Sequence, residues 1–382
     1  MLELFLMKDD KNIPEVNMAE PDNINPELNS NNKFNKLKEN KWVVISVLGA
    51  VLVVAGVVSW ILVSRGGSTT LTSSTVSSTS STSAPSTTQT SSNIPDAINP
   101  INPAAIPLGT GNVSTSPKVG YVDFCSYTGK VAAEPNLPWI NQSSNTWNSE
   151  TKPSVEGSVS WSSQASYTNS VSGSTRTITT NDLPINHDTG VFPISTSDPA
   201  YQYDHNPNTI KAQPTTWKLS ANPTAASSPS CTRDGPVGVL TDGVFIFNAL
   251  DAQNRDAGAT EILDQWQGHP QSNGVYHHHT IPNFMLKKYT AKNSSTLVGY
   301  ALDGYGIYIE RDKNGNLLTN ANLDECHGRT SEVMWNGKMT NIYHYDVTEE
   351  YPYTVGCYHG SPISITLSGP ATGASARPAP AG

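Results

Sequence analysis

Histidine and tyrosine alternate in two short segments of this chain, and the side chains they concentrate are potential metal ligands. The first segment, Tyr276–His279, reads YHHH, and the second, Tyr343–Asp346, reads YHYD. Imidazole and carboxylate groups bind Zn²⁺, Cu²⁺ and non-haem iron. Transition-metal binding is therefore the first chemistry that these residue types indicate.

The alternation also predicts which of these side chains act together. Successive side chains of a β-strand point to opposite faces. His277 and His279 therefore share one face, with His278 on the other, and His344 and Asp346 share a face in the second segment. If the two segments pack with pseudo-symmetry, the pair His277 and His279 and the pair His344 and Asp346 converge on one ion. His278 is then expected to point away from this ion.

Other histidines provide additional candidate ligands. His269 and His327 lie in the blocks that precede the two segments, and His187 and His205 are weaker candidates further upstream. Two alternatives stay open: the histidines could be structural residues that donate to backbone carbonyls, or they could carry out metal-free acid–base chemistry. The spacing matches neither HExxH nor paired CxxC zinc signatures.

The two segments belong to a longer internal repeat. GVLTDGVFIF (238–247) aligns with GYALDGYGIY (299–308), and LDQWQGHP (263–270) aligns with LDECHGRT (323–330). Asp-Gly between two apolar runs predicts a hairpin in each copy. The chain is therefore expected to fold as a mainly β, antiparallel body of two related units, at about 231–290 and 297–360.

The order of these motifs resembles the YHYH-domain family, which is named after a Tyr-His-Tyr-His tetrapeptide. The resemblance covers roughly 177–360 and includes LPINHDTGVFP, HNPNTI, DGVFIF, GHPQSNGVYHHH, LDGYGIY, LDECHGRT, IYHYD and YPYTVGC. Both tetrapeptides depart from the family pattern, because His278 replaces the second Tyr and Asp346 replaces the second His. The resemblance implies a shared fold module and assigns no reaction, so enzymatic activity is left open.

Composition and further motifs exclude several function classes. The net charge of -9 argues against a nucleic-acid partner, since phosphate binding requires a basic surface. The sequence contains no GxSxG, GxGxxG or GxxxxGK[ST] motif, so it gives no support to a hydrolase elbow, a dinucleotide site or a phosphate loop.

An uncharged apolar run at 42–64 predicts one transmembrane helix, because about 20 such residues span a bilayer. Four lysines precede the run, whereas Arg65 alone follows it closely. The positive-inside rule therefore predicts a single-pass cell-membrane protein with a cytoplasmic N-terminus and an extracellular C-terminal body. The polar residues 1–41 are expected to form a disordered cytoplasmic tail.

The residues after this helix fall into three regions of different composition. Residues 65–118 are rich in Ser, Thr and Pro and predict an extended stalk. The β domain is expected at 119–368, followed by a disordered tail at 369–382. Asn112, Asn141 and Asn293 lie in glycosylation sequons, which fits an external glycoprotein.

All four cysteines follow the apolar run, and their even number predicts two disulfides in an oxidising compartment. Sequence alone allows three pairings. We predict Cys326–Cys357, which links the second histidine block to the YPYTVGC strand, and then Cys125–Cys231 by elimination.

These observations predict a membrane-anchored extracellular domain with a histidine-rich site that binds Zn, Cu or Fe. The alternative is a non-catalytic adhesion or envelope module with structural histidines. In that alternative the tryptophans would face a binding partner; they are Trp139, Trp147, Trp161, Trp217, Trp266 and Trp335.

Overall fold

A computed structural model describes residues 88–90 and 93–365 of the chain. The predicted cytoplasmic tail, transmembrane helix and C-terminal tail lie outside these residues, as does the stalk up to residue 87. Among the helices that are described, none has the length and apolar character needed to cross a bilayer.

The described residues form mainly short strands. In chain order these are β1 (Thr88–Thr90), β2 (Ile106–Pro107), β3 (Val113–Ser114), β4 (Val122–Asp123), β5 (Ile140–Asn141), β6 (Thr146–Trp147), β7 (Tyr167–Ser172), β8 (Thr175–Thr180), β9 (Thr215–Ser220), β10 (Ala225–Ser230), β11 (Pro236–Leu240), β12 (Phe245–Phe247), β13 (Gly268–Pro270), β14 (Tyr276–His278), β15 (Ser294–Ala301), β16 (Gly306–Arg311), β17 (Gly328–Trp335), β18 (Lys338–Asp346) and β19 (Tyr358–Gly360). The helices are α1 (Ala257–Thr260) and α2 (Asn283–Lys288), with 3-10 turns at Pro103–Ala105, Pro199–Gln202, Ser272–Gly274 and Asn320–Asn322.

One nine-stranded sheet organises the domain. Its strand order is β13-β14-β12-β11-β15-β16-β18-β17, with β1 also paired to β15. The same sequence of pairings runs outward from the central β11–β15 pair in both directions: an antiparallel hairpin, then a parallel pair, then an antiparallel pair. At the centre Val239 lies opposite Tyr300.

The mainly β architecture predicted from sequence is confirmed, but two pairs of this sheet are parallel. β14 lies parallel to β12, and β18 lies parallel to β16. In each half an antiparallel strand comes between the two parallel partners along the chain, so the chain re-enters the sheet in the direction of the earlier strand. Local Asp-Gly signals predict the hairpins and contain no information about this re-entry.

The two Asp-Gly hairpins form where the sequence predicts them. Gly243 and Gly304 both have φ of +94°, a backbone conformation that glycine adopts without steric cost. At the first turn Asp242 Oδ1 accepts a hydrogen bond from the Val244 N–H, and at the second Asp303 Oδ1 accepts one from the Tyr305 N–H. The other carboxylate oxygen of each aspartate stays available for contacts with the neighbouring strand.

The main hydrophobic core lies on this sheet. Its fully buried members include Val239, Leu240, Phe245, Ile246 and Ile307. Burial of side chains of this size stabilises a fold by about 1.5–3 kcal/mol each. The three-stranded sheet β7-β8-β9 contributes Ile178, Trp217 and Leu219 to the same core.

A second hydrophobic cluster extends the domain toward the N-terminus. Ile106, Leu108 and Val113 are buried in it together with Trp139 and Trp147. The packed part of the domain therefore includes residues before the expected boundary at residue 119. These apolar side chains lie between prolines and polar residues, so composition alone does not separate them from the stalk.

Both predicted disulfides are present. Cys125 is bonded to Cys231, and Cys326 is bonded to Cys357. The second bond joins the loop before β17 to the segment before β19, which fixes the chain on both sides of the YHYD strand.

Candidate metal centre

The YHHH segment lies between two neighbouring strands that fix its register. His277 of β14 stands opposite His269 of β13, and it also pairs with Phe245 of the parallel strand β12. Directly opposed residues of an antiparallel pair share a face of the sheet. Strand pairing thus brings together an imidazole from the histidine block and an imidazole from the tetrapeptide.

Three imidazoles and one carboxylate meet on this face in what we call the three-histidine cluster (Glu261, His269, His277 and His279). His277 Nε2 lies 3.2 Å from His269 Nε2 and 3.1 Å from His279 Nε2. Glu261 Oε2 lies 3.1 Å from His269 Nε2 and 3.2 Å from His279 Nε2. The four ligand atoms thus follow one another in a closed ring.

Backbone carbonyls orient two of these rings. His277 Nδ1 donates to the Val275 carbonyl oxygen at 3.3 Å, and His279 Nδ1 donates to the Asn248 carbonyl oxygen at 2.6 Å. The Phe247 ring stacks on His277 with 4.0 Å between centroids. A histidine that donates through one nitrogen keeps a lone pair on the other, which is the arrangement that metal-binding histidines use.

The cluster is nearly closed to solvent and electrostatically coupled. Burial lowers the pKa of His277 well below its usual value, and the neighbouring imidazoles lower it further. Burial opposes the charge of Glu261 as well, but His269 and His279 outweigh it and hold the pKa of this carboxyl well below its usual range. For His279, burial lowers the pKa, yet the Glu261 carboxylate more than offsets this effect and the pKa is raised.

The opposite face of β14 holds a second group, the His278 cluster (His187, Asp242 and His278). Its three ligand atoms lie within 4.8 Å of one another, and all three side chains are almost fully buried. His187 belongs to the loop after β8, whereas Asp242 belongs to the β11–β12 turn. The same three-residue strand thus provides imidazoles to two different clusters.

A third group, the Arg329 cluster, lies in the other half of the sheet (Glu310, Arg329, His344 and Asp346). Arg329 stands opposite His344, the position that corresponds to His269 opposite His277. Its guanidinium donates to Glu310 Oε2 through Nε at 2.8 Å and lies 2.7 Å from it through Nη2. A permanent cation already neutralises this cluster.

Burial and the adjacent Glu310 raise the pKa of Asp346 well above its usual value. Burial also disfavours the charged form of Glu310, but His344 and Arg329 outweigh it, so the pKa of Glu310 is lowered to about 2. The Arg329 cluster therefore carries at least one ionised carboxylate at neutral pH, and the guanidinium balances it.

Residues 216–317 match the family model described as YHYH protein. The chain contains a YHYH domain. The matched region includes the three-histidine cluster and ends before His344. No curated protein and no solved structure shows significant similarity to the chain.

The structure divides the predicted ligands between separate clusters. His269, His277 and His279 lie together, whereas His344 and Asp346 lie in the Arg329 cluster. Five strand spacings separate β14 from β18, which corresponds to about 24 Å along the sheet at about 4.8 Å per strand. The prediction of one coordination sphere shared by both segments is therefore wrong, because the two segments flank the sheet centre at a distance.

The remaining predicted ligands have other partners. His327 Nε2 lies 3.0 Å from the Thr348 hydroxyl oxygen, and burial lowers the pKa of its imidazole to about 3. His205 stacks on Tyr201, with 4.1 Å between ring centroids. His187 joins the His278 cluster. His278 points away from the three-histidine cluster, as strand alternation predicts.

Glu261 is the member of the cluster that sequence reasoning missed. It follows the last residue of α1, and its backbone N–H bonds to the Ala257 carbonyl oxygen. An acidic residue after a one-turn helix has no spacing relation to the YHHH strand. The available signal was its position in ATEILD, immediately before the histidine block.

The tryptophans within the described residues do not form one exposed surface. Four are buried: Trp139, Trp147, Trp217 and Trp335. Their indoles pack in the hydrophobic clusters, and Trp139 and Trp335 also donate to the carbonyl oxygens of Ala259 and Ala221. The expectation that all six face a partner is therefore wrong, which weakens the adhesive alternative.

Proposed function

We propose that this YHYH domain is an extracellular metal-binding module whose ion is held by Glu261, His269, His277 and His279. The observation that carries the proposal is the closed ring of four buried ligand atoms, with neighbouring atoms 3.1–3.2 Å apart. Such spacings place the centre of a four-coordinate site about 1.9–2.2 Å from every atom, which is the range of Zn–N and Zn–O bonds.

The charge of the ring favours a divalent ion. Without a metal ion, His269 and His279 can donate to the Glu261 carboxylate, but His277 Nε2 is left facing two other imidazole nitrogens in a site of low dielectric, which costs free energy. Three imidazoles with one carboxylate are typical ligands of Zn²⁺ in tetrahedral geometry and of Cu²⁺ in square geometry. Zn²⁺ and Cu²⁺ are thus the two ions proposed.

The proposed ion would stabilise the fold and would have a structural role. Four protein ligands complete a four-coordinate sphere and leave no open position for substrate, which is typical of structural sites. The ligands come from the residue after α1, from β13, from the middle of the short strand β14 and from the residue that follows it. A shared ion would hold these elements together and contribute directly to the free energy of folding.

We also propose that residues 42–64 anchor the domain in the cell membrane, with residues 65–87 as part of an external stalk. The two disulfides support this extracellular location, because such bonds persist in oxidising compartments. Glycosylation at Asn112, Asn141 and Asn293 is part of the same proposal. Asn141 is exposed, whereas Asn112 and Asn293 are half-buried.

We further propose that the two halves of the sheet arose by duplication. Equivalent pairings recur on both sides of the central pair, and each half has a register shift at the corresponding point of its hairpin. After duplication, Arg329 would have replaced the metal ion of the second half with a built-in cation.

Metal analysis of the purified full-length chain tests the proposed function. After chelation and reloading with Zn²⁺ or Cu²⁺, we expect His277→Gln to lose one bound ion per chain and to lower the melting temperature. His205→Gln is the matched control, because His205 stacks on Tyr201 outside the cluster. Equal metal content in both variants and the wild type would contradict the proposal.

A further inference from the structure

We propose that the His278 cluster is a second metal site, on the opposite face of β14 from the three-histidine cluster. Its ligands would be His187 Nε2, His278 Nε2 and Asp242 Oδ2, and its ion a divalent transition metal such as Zn²⁺ or Fe²⁺. The site has its own residues and does not depend on the proposed function of the first cluster.

Three buried ligand atoms face one another in this cluster. Asp242 Oδ2 lies 3.5 Å from His187 Nε2 and 3.8 Å from His278 Nε2. Their side chains are 0–1% exposed. Both distances exceed the usual range of an N–H···O hydrogen bond, which ends at about 3.2 Å. Within residues 88–90 and 93–365, none of the three atoms has a hydrogen-bond partner.

The other nitrogen of each ring already has a partner. His187 Nδ1 donates to the Asp188 carbonyl oxygen at 2.5 Å, and His278 Nδ1 donates to the Gln267 carbonyl oxygen at 2.8 Å. These bonds place the lone pair of each neutral ring on Nε2, toward Asp242. Metal-binding histidines are commonly held in this way by a backbone carbonyl on the outer nitrogen.

The distances suit an ion and leave too much space for a direct hydrogen bond. For metal–ligand bonds of about 2.1 Å, separations of 3.5 and 3.8 Å correspond to angles of about 110–130° at the ion. Two imidazoles and one carboxylate form the ligand set of catalytic zinc and non-haem iron sites, in which the remaining positions are open. The Phe284 and Trp266 rings flank His187, with centroids 4.9 and 6.0 Å away, and keep its surroundings apolar.

The other half of the sheet provides an internal comparison. Tyr345 corresponds to His278 by strand register, and Asp303 corresponds to Asp242 at the hairpin turn. There the Tyr345 hydroxyl donates to Asp303 Oδ2 at 2.6 Å, and the Gly360 N–H donates to the same oxygen at 2.9 Å. The second half thus satisfies its aspartate with protein donors, whereas the first half leaves Asp242 Oδ2 facing two imidazoles. A bound cation accounts for this difference.

Titration of the full-length, chelator-stripped chain with Co²⁺ tests the inference, with bound cobalt counted by elemental analysis and by its visible absorption. We expect two Co²⁺ ions per wild-type chain, one per chain in His278→Gln, and one in His277→Gln. The two single losses should differ in their absorption spectra, because the ligand sets differ.

His278→Tyr is a second variant that protects the test against misfolding, since it copies the Tyr345–Asp303 contact of the other half. It should keep the wild-type circular dichroism spectrum and bind one Co²⁺. Two ions retained in both His278 variants would overturn the inference, as would a wild-type chain that binds no Co²⁺ or a single ion lost only in His277→Gln. A single ion lost only in the His278 variants would instead overturn the proposed function and leave this inference standing.

Discussion

A histidine binds a metal ion through a nitrogen that carries no proton, so the partner of its other nitrogen decides whether it can act as a ligand. In the YHHH strand, backbone carbonyls accept from Nδ1 of all three consecutive histidines. Each Nε2 atom is thereby turned toward a cluster. This shared orientation separates His277, His278 and His279 from His205, which stacks on a tyrosine at 4.1 Å.

Protons should compete with metal at the three-histidine cluster. Burial lowers the pKa of His279, but Glu261 more than offsets this and the net pKa is raised. Below that raised pKa the imidazole is protonated and must lose its proton before an ion can bind. We therefore expect Zn²⁺ affinity to fall as pH decreases, with the loss beginning above the usual imidazole pKa of about 6.5.

Competition with a chromophoric chelator between pH 8 and pH 5 measures this dependence. Glu261→Gln should bind Zn²⁺ more weakly at every pH, and its affinity should begin to fall at a lower pH than in the wild type. Zn²⁺ affinity that stays constant across this range would contradict protonation of the ligands.

Removal of Arg329 should destabilise the second half of the sheet. Arg329→Ala leaves Glu310 and Asp346 buried without their guanidinium partner, and loss of one partner of a buried ion pair costs about 3–5 kcal/mol. Chemical denaturation monitored by tryptophan fluorescence measures the change in unfolding free energy. Arg329→Lys keeps the charge and should lose less; equal losses in both variants would show that charge balance is not the reason.

At the scale of elements, each half of the sheet positions its histidine strand with one aspartate. Asp264 Oδ1 accepts hydrogen bonds from the N–H groups of Trp266 and Gly268, and its Oδ2 accepts from the Tyr276 hydroxyl at 2.8 Å. In the second half Asp324 accepts from the corresponding N–H groups of Cys326 and Gly328 and from the Tyr343 hydroxyl at 3.0 Å, all through Oδ1. The first residue of each tetrapeptide thus ties its strand to the preceding turn.

Asp264→Ala should therefore cost more stability than Asp324→Ala. Asp264 is fully buried and also accepts from the Gly190 N–H, whereas Asp324 is half-buried. Donors left unsatisfied cost about 1–3 kcal/mol each when buried, so we expect about 3 kcal/mol or more for Asp264 and about 1–2 kcal/mol for Asp324. Paired urea denaturation curves measure the difference, and the opposite order would refute this ranking.

Local sequence patterns predicted individual turns and strands better than they predicted which strands pair in the sheet. The Asp-Gly turns at Gly243 and Gly304 and the alternating faces of β14 follow from a few adjacent residues, so the sequence was sufficient for them. The parallel pairing of β14 with β12 depends on where the chain returns after α1 and β13. That return brings the histidines of β14 beside Asp242 and Glu261, so spacing in the sequence could not identify these two carboxylates as their partners.

At the scale of the whole molecule, the disulfides and the packed N-terminal segment make the domain continuous from residue 93 to residue 365. Cys125–Cys231 links residues that are 106 positions apart, and Cys326–Cys357 links residues 31 apart. Sequence predicted the second pair from its place around the YHYD strand and left the first to elimination. Ile106 and Leu108 are buried and extend the folded domain into the expected stalk. The sequence did not predict this, because isolated apolar residues among prolines give no periodic signal.

The proposed membrane orientation gives a whole-molecule prediction. A protease added to intact cells should cut in the Ser/Thr-rich residues 65–87 and release the YHYH domain as a folded fragment, since extended Ser/Thr-rich segments are open to cleavage. Immunoblotting of the medium with an antibody to the domain measures this release. Fragments that appear only after the cells are permeabilised would contradict the extracellular location of the domain.

The run of three histidines at β14 makes strand alignment a condition for the three-histidine cluster in particular. A shift of β14 by one residue along β12 would move His277 and His279 to the face of Asp242 and bring His278 to the face of Glu261. The three-histidine cluster would then lose one imidazole, because Tyr276 or Thr280 would take the place of a histidine, whereas the face of Asp242 would still receive a histidine. An ion bound at the three-histidine cluster would therefore report the correct alignment of β14, and a chain that folds out of alignment would be distinguished by the loss of that ion.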